Sequence, residues 1–293
     1  GREAEVVEPE LGEDLAHAVR VEATRGDAEP RPERERSLER GGVVRVGDEE
    51  QVADLLERDL PQADAMLMEA QALAERHCFR HHAILIGRGL LRMHEDRLDE
   101  AAELFLEART LSKAAGDHIS EFQANENLVL IAWYQGDCER ALKLSEPLRE
   151  LAGKLREGSE EPLARAVYGL CLYHERDDHE PLDQAVEDLR IADAKHRLAY
   201  TQSRAAMIDL DRGRIESAVS RAREALQCAE LLQRPTEMLL AHIALYHAGK
   251  ATGDEQAVAS GCEAMTLLCE QGVAVWARDR AREAMAQDGR VEA

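Results

Sequence analysis

The sequence predicts an all-α fold, a solenoid of helical hairpins. Three observations carry that prediction. Ala, Leu, Glu and Arg dominate and aromatic residues are only 3%, a composition that favours helices and leaves few β-branched runs for strands. Apolar residues recur at helical spacing, as in Ala63, Met66, Leu67, Ala70, Leu73 and Ala74. The stretch Asn125 to Ala152 reads as a helix, a tight turn at Gly136-Asp137 and a second helix, and weaker copies lie on both sides of it.

The copies are recognised by their turns. Asp96-Arg97-Leu98-Asp99-Glu100-Ala101 precedes the central unit and is followed by Phe105 and Ala108. Leu182-Asp183-Gln184-Ala185, Gly213 to Ala218 and the looser Gly253 to Val258 follow it. The small residues after the turns, Ala101, Ala141, Ala185 and Ala218, are 40, 44 and 33 residues apart. From about Ala63 to Ala286 this pattern resembles the tetratricopeptide family, whose period is about 34 residues. The resemblance implies a right-handed helical-hairpin solenoid of about five repeats plus a capping helix. It implies close approach of paired helices at the small positions. The small residue of helix A is Gly89 or Gly169 in two copies, and Val129 in the central one. The long spacings look like the helical sensor regions of bacterial multidomain transcription regulators. They also look like the sensory repeats before some diguanylate cyclases.

Residues 1–48 differ from the rest. Pro9, Pro30, Pro32, Gly41 and Gly42 interrupt any long helix there, and the charge-dense run from Pro32 to Arg40 reads as a solvated linker. Glu13 to Thr24 is a short helix candidate, and Gly41 to Val46 a strand or turn. Residues 1–48 are therefore expected to be a weakly packed leader, and 49–293 the repeat domain. Helices are predicted over Glu49–Asp59, stopped near Pro61, and over Gln62–Cys78. Next come His82–Met93, Asp99–Ala115 and a hairpin within Ser120–Lys154, whose second helix Pro147 should kink. Leu163–Glu175 comes next, then a long polar turn, Arg176–Pro181, and a helix from Leu182 to about Lys195. The fourth repeat spans Leu198–Gln233 and is closed by Pro235. The fifth runs from Thr236 to Gly272. A last helix, Val273–Gln287, should cover the open end of the stack.

Charge and cysteine usage bound the function. Thirty-seven basic against 59 acidic residues give a net charge of −22, which disfavours direct nucleic-acid binding, since phosphate needs a basic footprint. Six scattered cysteines without a C-x-x-C pair predict reduced thiols in a cytoplasmic protein. The longest apolar run, Leu128 to Tyr134, is far short of the ~20 residues that span a bilayer. The chain opens on Gly, as expected of a segment cut from something longer.

No residue group forms a catalytic signature, so no enzyme, cofactor or metal is expected. His77, Cys78, His81 and His82 share a helix face but lack the second cluster that a structural zinc site uses. His174-Glu175 and His179-Glu180 evoke a zinc-protease motif, but the histidines are five apart instead of four. Cys262 and Cys269 share a face as small buried groups. The acidic pairs at turns are solvated caps. Gly87-Arg88-Gly89 lacks the lysine of a phosphate loop and reads as packing.

What remains is the groove. In the tetratricopeptide family helix A lines a concave surface. The resemblance places Gln123, Glu126, Asn127, Leu130 and Trp133 on it, continued by Arg165, Tyr173, Ser203, Met207, His242 and His247. It assigns Trp133 to the groove and Tyr134 to the hairpin contact. Asn127 matches one member of the family's carboxylate clamp, but Ile86, Leu90, Leu163 and Val167 occupy the other polar positions, so chaperone C-termini are not expected ligands. The expected function is a scaffold that binds a protein or peptide on its concave surface, within a bacterial signalling or transcription regulator, with homo-oligomers possible. The alternative is a small-molecule-sensing helical repeat of a signal-transduction ATPase-type regulator.

Overall fold

The computed structural model describes residues 60–76, 80–155 and 158–286. The expected leader, the helix over 49–59, and His77 and Cys78 lie outside them. Among the described residues every regular element is an α-helix. In chain order these are α1 (Leu60–Arg76), α2 (His82–His94), α3 (Leu98–Ala115), α4 (His118–Tyr134), α5 (Cys138–Leu155) and α6 (Glu160–Arg176). They continue as α7 (Glu180–Ile191), α8 (Lys195–Asp211), α9 (Ile215–Leu232), α10 (Pro235–Thr252), α11 (Glu255–Cys269) and α12 (Val275–Ala286). None of them is long and apolar enough to cross a membrane.

Local chemistry sets the turns. The N–H of Asp137 reaches Ala132 O at 2.9 Å and that of Gly136 reaches Trp133 O at 3.0 Å, which together close α4 as a Schellman motif. The same pair of bonds recurs at Asp96-Arg97, Gly213-Arg214 and Gly253-Asp254. The motif requires a left-handed residue, supplied by Gly136 (φ 75°) and, in the first copy, by Asp96 (φ 62°). Asp137 then accepts the N–H of Arg140 at 3.0 Å, which caps α5.

Three prolines act differently from expectation. Pro61, Pro181 and Pro235 sit in the first turns of α1, α7 and α10 instead of ending the segments before them. A first-turn residue has no intrahelical use for its N–H, and the fixed proline φ suits a helix start. Pro147 lies inside α5, which continues through it to Leu155.

Consecutive helices pair as α2–α3, α4–α5, α6–α7, α8–α9 and α10–α11. The first helix of each pair also touches the first helix of the next, whereas the second helices make no comparable contacts with one another. One layer is therefore close-packed and the other splayed, so the array curves with α2, α4, α6, α8 and α10 inside. Small residues set the intimacy of each hairpin. Ala101, Ala141 and Ala218 are fully buried and Ala185 is 1% exposed. A β-carbon on Gly89 would lie 2.6 Å from the Phe105 ring, and one on Gly169 would lie 2.7 Å from the backbone of Leu182.

The last helix corrects an expectation. It packs on α10 and α11, but it does not only cover an end. Trp276 reaches the ring of Tyr134 on α4, with centroids 5.1 Å apart, and His94 Nε2 lies 3.2 Å from Gly272 O. Curvature brings the C-terminal segment back to the inner mouth of the array, beside the ends of α2 and α4.

Candidate functional site

The inner surface is where α4 and α8 meet. Arg204 of α8 is 4% exposed. Its Nε and Nη2 donate to the Tyr134 hydroxyl at 3.2 and 2.7 Å, and its Nη1 donates to Tyr200 O at 3.0 Å. The guanidinium lies 3.5 Å from the Tyr200 ring centroid, and 5.8 Å from those of Tyr134 and Trp276. Stacking on aromatic faces suits arginine, which is weakly hydrated. Its countercharge is the buried Glu237 of α10, at 3.9 Å. Beside this box a cleft of about 160 Å³ is lined by Asp96, Leu98, Trp133, Met207, Leu240 and Arg280, together with the box residues Tyr134, Arg204 and Trp276.

One helical turn and more toward the N-termini, the wall becomes polar. Arg197 Nη2 donates to Glu160 at 2.9 Å. Glu126 of α4 stands near this pair, and burial pushes its carboxyl up to about 7, against the opposing pull of Arg197 and with help from Glu160. Enclosure likewise lowers His196, whose cationic form also meets Arg234. Glu126 is partly buried, whereas the His196 side chain is exposed. Several polar atoms here are buried without a hydrogen bond: Gln123 Oε1, Arg197 Nη1 and Glu237 Oε2. Such atoms are uncommon in folded proteins and call for an explanation.

The sequence-selected residues divide. Gln123 and Glu126 stand on this wall, and Trp133 and Met207 line the cleft. Asn127 donates back to Gln123 O at 2.8 Å, so its amide serves its own helix. Leu130 is buried among residues of the second and third hairpins. Three expectations need correction, those for Ser203, Tyr173 and Arg165. Ser203 is fully buried and bonded to Tyr200 O at 3.0 Å. Tyr173 is 1% exposed in the joint between the third and fourth hairpins, where its hydroxyl meets Asp209 and Arg214. Arg165 pairs with Asp188 of α7 at 2.8 Å and so looks toward the outer layer. Burial lowers the His242 imidazole, with Glu230 of α9 opposing it. His247 packs its ring edge-on against Tyr246, 5.5 Å between centroids. Tyr134 packs against the cluster of its own and the next hairpin, and its hydroxyl also holds Arg204 across the interior. Tyr200, Arg204, Glu237 and Trp276 were not selected from the sequence. The available signal was Tyr200 and Arg204 at i, i+4, an arginine set among Ser203, Ala205 and Ala206.

The remaining histidine candidates are engaged. His81 Nδ1 accepts the N–H of Ala83 at 3.2 Å, and His82 pairs with Asp117 at 2.9 Å. His179 meets Asp183 at 2.8 Å. His174 lies 3.3 Å from the thiol of Cys138. Burial, with Glu175 adding to it, pushes that thiol up to about 12, so the pair is not an activated nucleophile. The five described cysteines are free, and Cys262 and Cys269 are half-buried instead of fully buried.

These features define a curved helical-hairpin repeat protein with a polar, aromatic-lined interior. No family model matches the chain, and no curated protein matches it. Among solved structures it is similar to the apo form of the quorum sensor NprR from B. thuringiensis, with a TM-score of 0.49 and 18% identity over 80% of this chain and 69% of that one.

Proposed function

We propose that this chain is a tetratricopeptide-type scaffold that binds an extended protein or peptide segment on its inner surface. In this proposal it serves as the sensing part of a cytoplasmic bacterial signalling or transcription regulator and has no catalytic activity of its own. One observation carries the proposal: Gln123 Oε1 and Arg197 Nη1 are buried on the inner wall without a hydrogen bond, on the same face as a cleft lined by two tryptophans. A peptide backbone offers alternating donors and acceptors that suit Gln123, Arg197 and Glu237. A tryptophan or tyrosine beside them offers the anchoring surface typical of binding hot spots. The small-molecule alternative has its own support in the 160 Å³ cleft, which is too small for more than one side chain or a compact metabolite.

Selection of a degenerate peptide library on the purified chain tests the proposal. Enriched peptides should lose at least roughly tenfold in affinity with Trp133→Ala, by analogy with aromatic anchors elsewhere, while helicity persists. Gln123→Ala should weaken the same peptides. If no peptide is enriched, and mass spectrometry of the extracted protein finds a stoichiometric metabolite, the small-molecule reading replaces this one. Peptides that bind Trp133→Ala and Gln123→Ala as well as the parent would exclude the inner surface.

A further inference from the structure

The fold brings together three potential metal donors that sequence separates by 36 residues. Cys138 is the first residue of α5, directly after the turn that closes α4. His174 and Glu175 occupy the last turn of α6. The Cys138 Sγ and His174 Nδ1 are 3.3 Å apart, and the thiol, imidazole and carboxylate donors all lie within 4.8 Å of one another. We propose that Cys138, His174 and Glu175 bind one divalent ion of the zinc type, and that the ion clamps the second hairpin to the third.

Donor chemistry selects the ion class. Thiolate, imidazole and carboxylate are the usual zinc ligands, and the Cys138 thiol would give up its proton to solvent as the ion binds, whereas magnesium and calcium take oxygen donors. Tetrahedral bonds of about 2.3 Å to sulfur and about 2.0 Å to nitrogen would set these two donors roughly 3.5 Å apart. The observed 3.3 Å is close to that, so binding needs little movement. Cys138 is buried while His174 and Glu175 are partly exposed. Three protein ligands of this kind leave the fourth position facing solvent.

Neighbouring groups hold the donors in place. Arg212, directly after α8, donates to His174 O at 2.8 Å. The Trp133 ring meets the His174 ring edge-on, with centroids 6.5 Å apart. The same Trp133 lines the cleft, so the clamp would sit directly behind one of its walls. The other histidine cluster is a weaker candidate, because His81 Nδ1 caps α2 and His82 is engaged by Asp117.

Cobalt titration of the full chain, stripped with chelator, tests the site without reference to any peptide. One equivalent of Co²⁺ should give a thiolate-to-cobalt charge-transfer band and intense visible bands of tetrahedral type, both displaced by Zn²⁺. Cys138→Ser should abolish the charge-transfer band. His174→Ala, at a half-exposed position that leaves folding intact by circular dichroism, should weaken binding at least about tenfold, as should Glu175→Gln; even outer-sphere changes at metal sites cost that much. His81→Ala should change nothing. Absence of the band in the parent, its persistence in Cys138→Ser, or unchanged affinity in His174→Ala would overturn the proposal. Unchanged affinity in Glu175→Gln would remove Glu175 from it.

Discussion

Two joints of the array hold successive hairpins together by opposite means. Around α2, α3 and α4 the joint is apolar: Phe105, Ala101, Ala108, Ile86, Leu128 and Ile131 form one buried cluster, with the Phe105 ring against Gly89. Between α6, α8 and α9 the joint is polar. Asp209 is fully buried. It accepts from Ser217 at 2.8 Å and from Arg221 Nε at 3.0 Å, and it meets the Tyr173 hydroxyl. Arg221 also donates to Gln202 at 2.8 Å and to Asp183 at 2.6 Å. Both joints exclude water, but only the second fixes which groups must face each other. The apolar joint is set by volume, and the polar joint by matched donors and acceptors.

The largest effect is expected from breaking the polar joint on one side. Asp209→Ala strips the mostly buried Arg221 of its buried carboxylate and leaves it only the half-exposed Asp183, and should cost about 3 kcal/mol in urea unfolding. The comparison sharpens with the pair Asp209→Leu and Arg221→Met, because replacing a whole buried pair with apolar groups is often neutral or better. If the double variant is as unstable as Asp209→Ala, the joint owes its stability to more than that pair.

A smaller loss is expected in the apolar joint from overfilling. Gly89→Ala drives a methyl group into the Phe105 ring and should cost about 1–3 kcal/mol. Adding Phe105→Leu to Gly89→Ala should recover part of the loss, since the ring atoms in the way are gone. A Gly89→Ala variant as stable as the parent would show that the joint is looser than the geometry states.

The last effect is spread over a pH range and belongs to the inner wall, which is neither kind of joint. Burial raises Glu126 from its ordinary 4.5 to about 7 in the folded chain. Between those values the folded state holds a proton that the unfolded state has lost, so the contribution of Glu126 weakens as pH rises through that window. Glu126→Gln should therefore flatten the decline in urea midpoint between about pH 5 and pH 8. An unchanged slope would place Glu126 in bulk-like solvent instead of on an enclosed wall.

The sequence by itself determined the helices and their turns. Gly136, Gly213 and Gly253 are left-handed residues that end a helix through bonds within a few residues, and Ala101, Ala141, Ala185 and Ala218 mark contacts inside single hairpins. These are local matters, set by backbone sterics and helical period, and so they are legible along the chain. Only the tertiary structure decided the inner wall. Whether the Tyr134 hydroxyl reaches Arg204, whether Ser203 lines a groove or is buried, and whether Cys138 meets His174 all depend on the rotation between successive hairpins. That rotation comes from side-chain packing at every joint and accumulates along the array, so no short stretch of sequence contains it. The same accumulated curvature carries Trp276 back to Tyr134, two residues that periodicity gives no reason to pair.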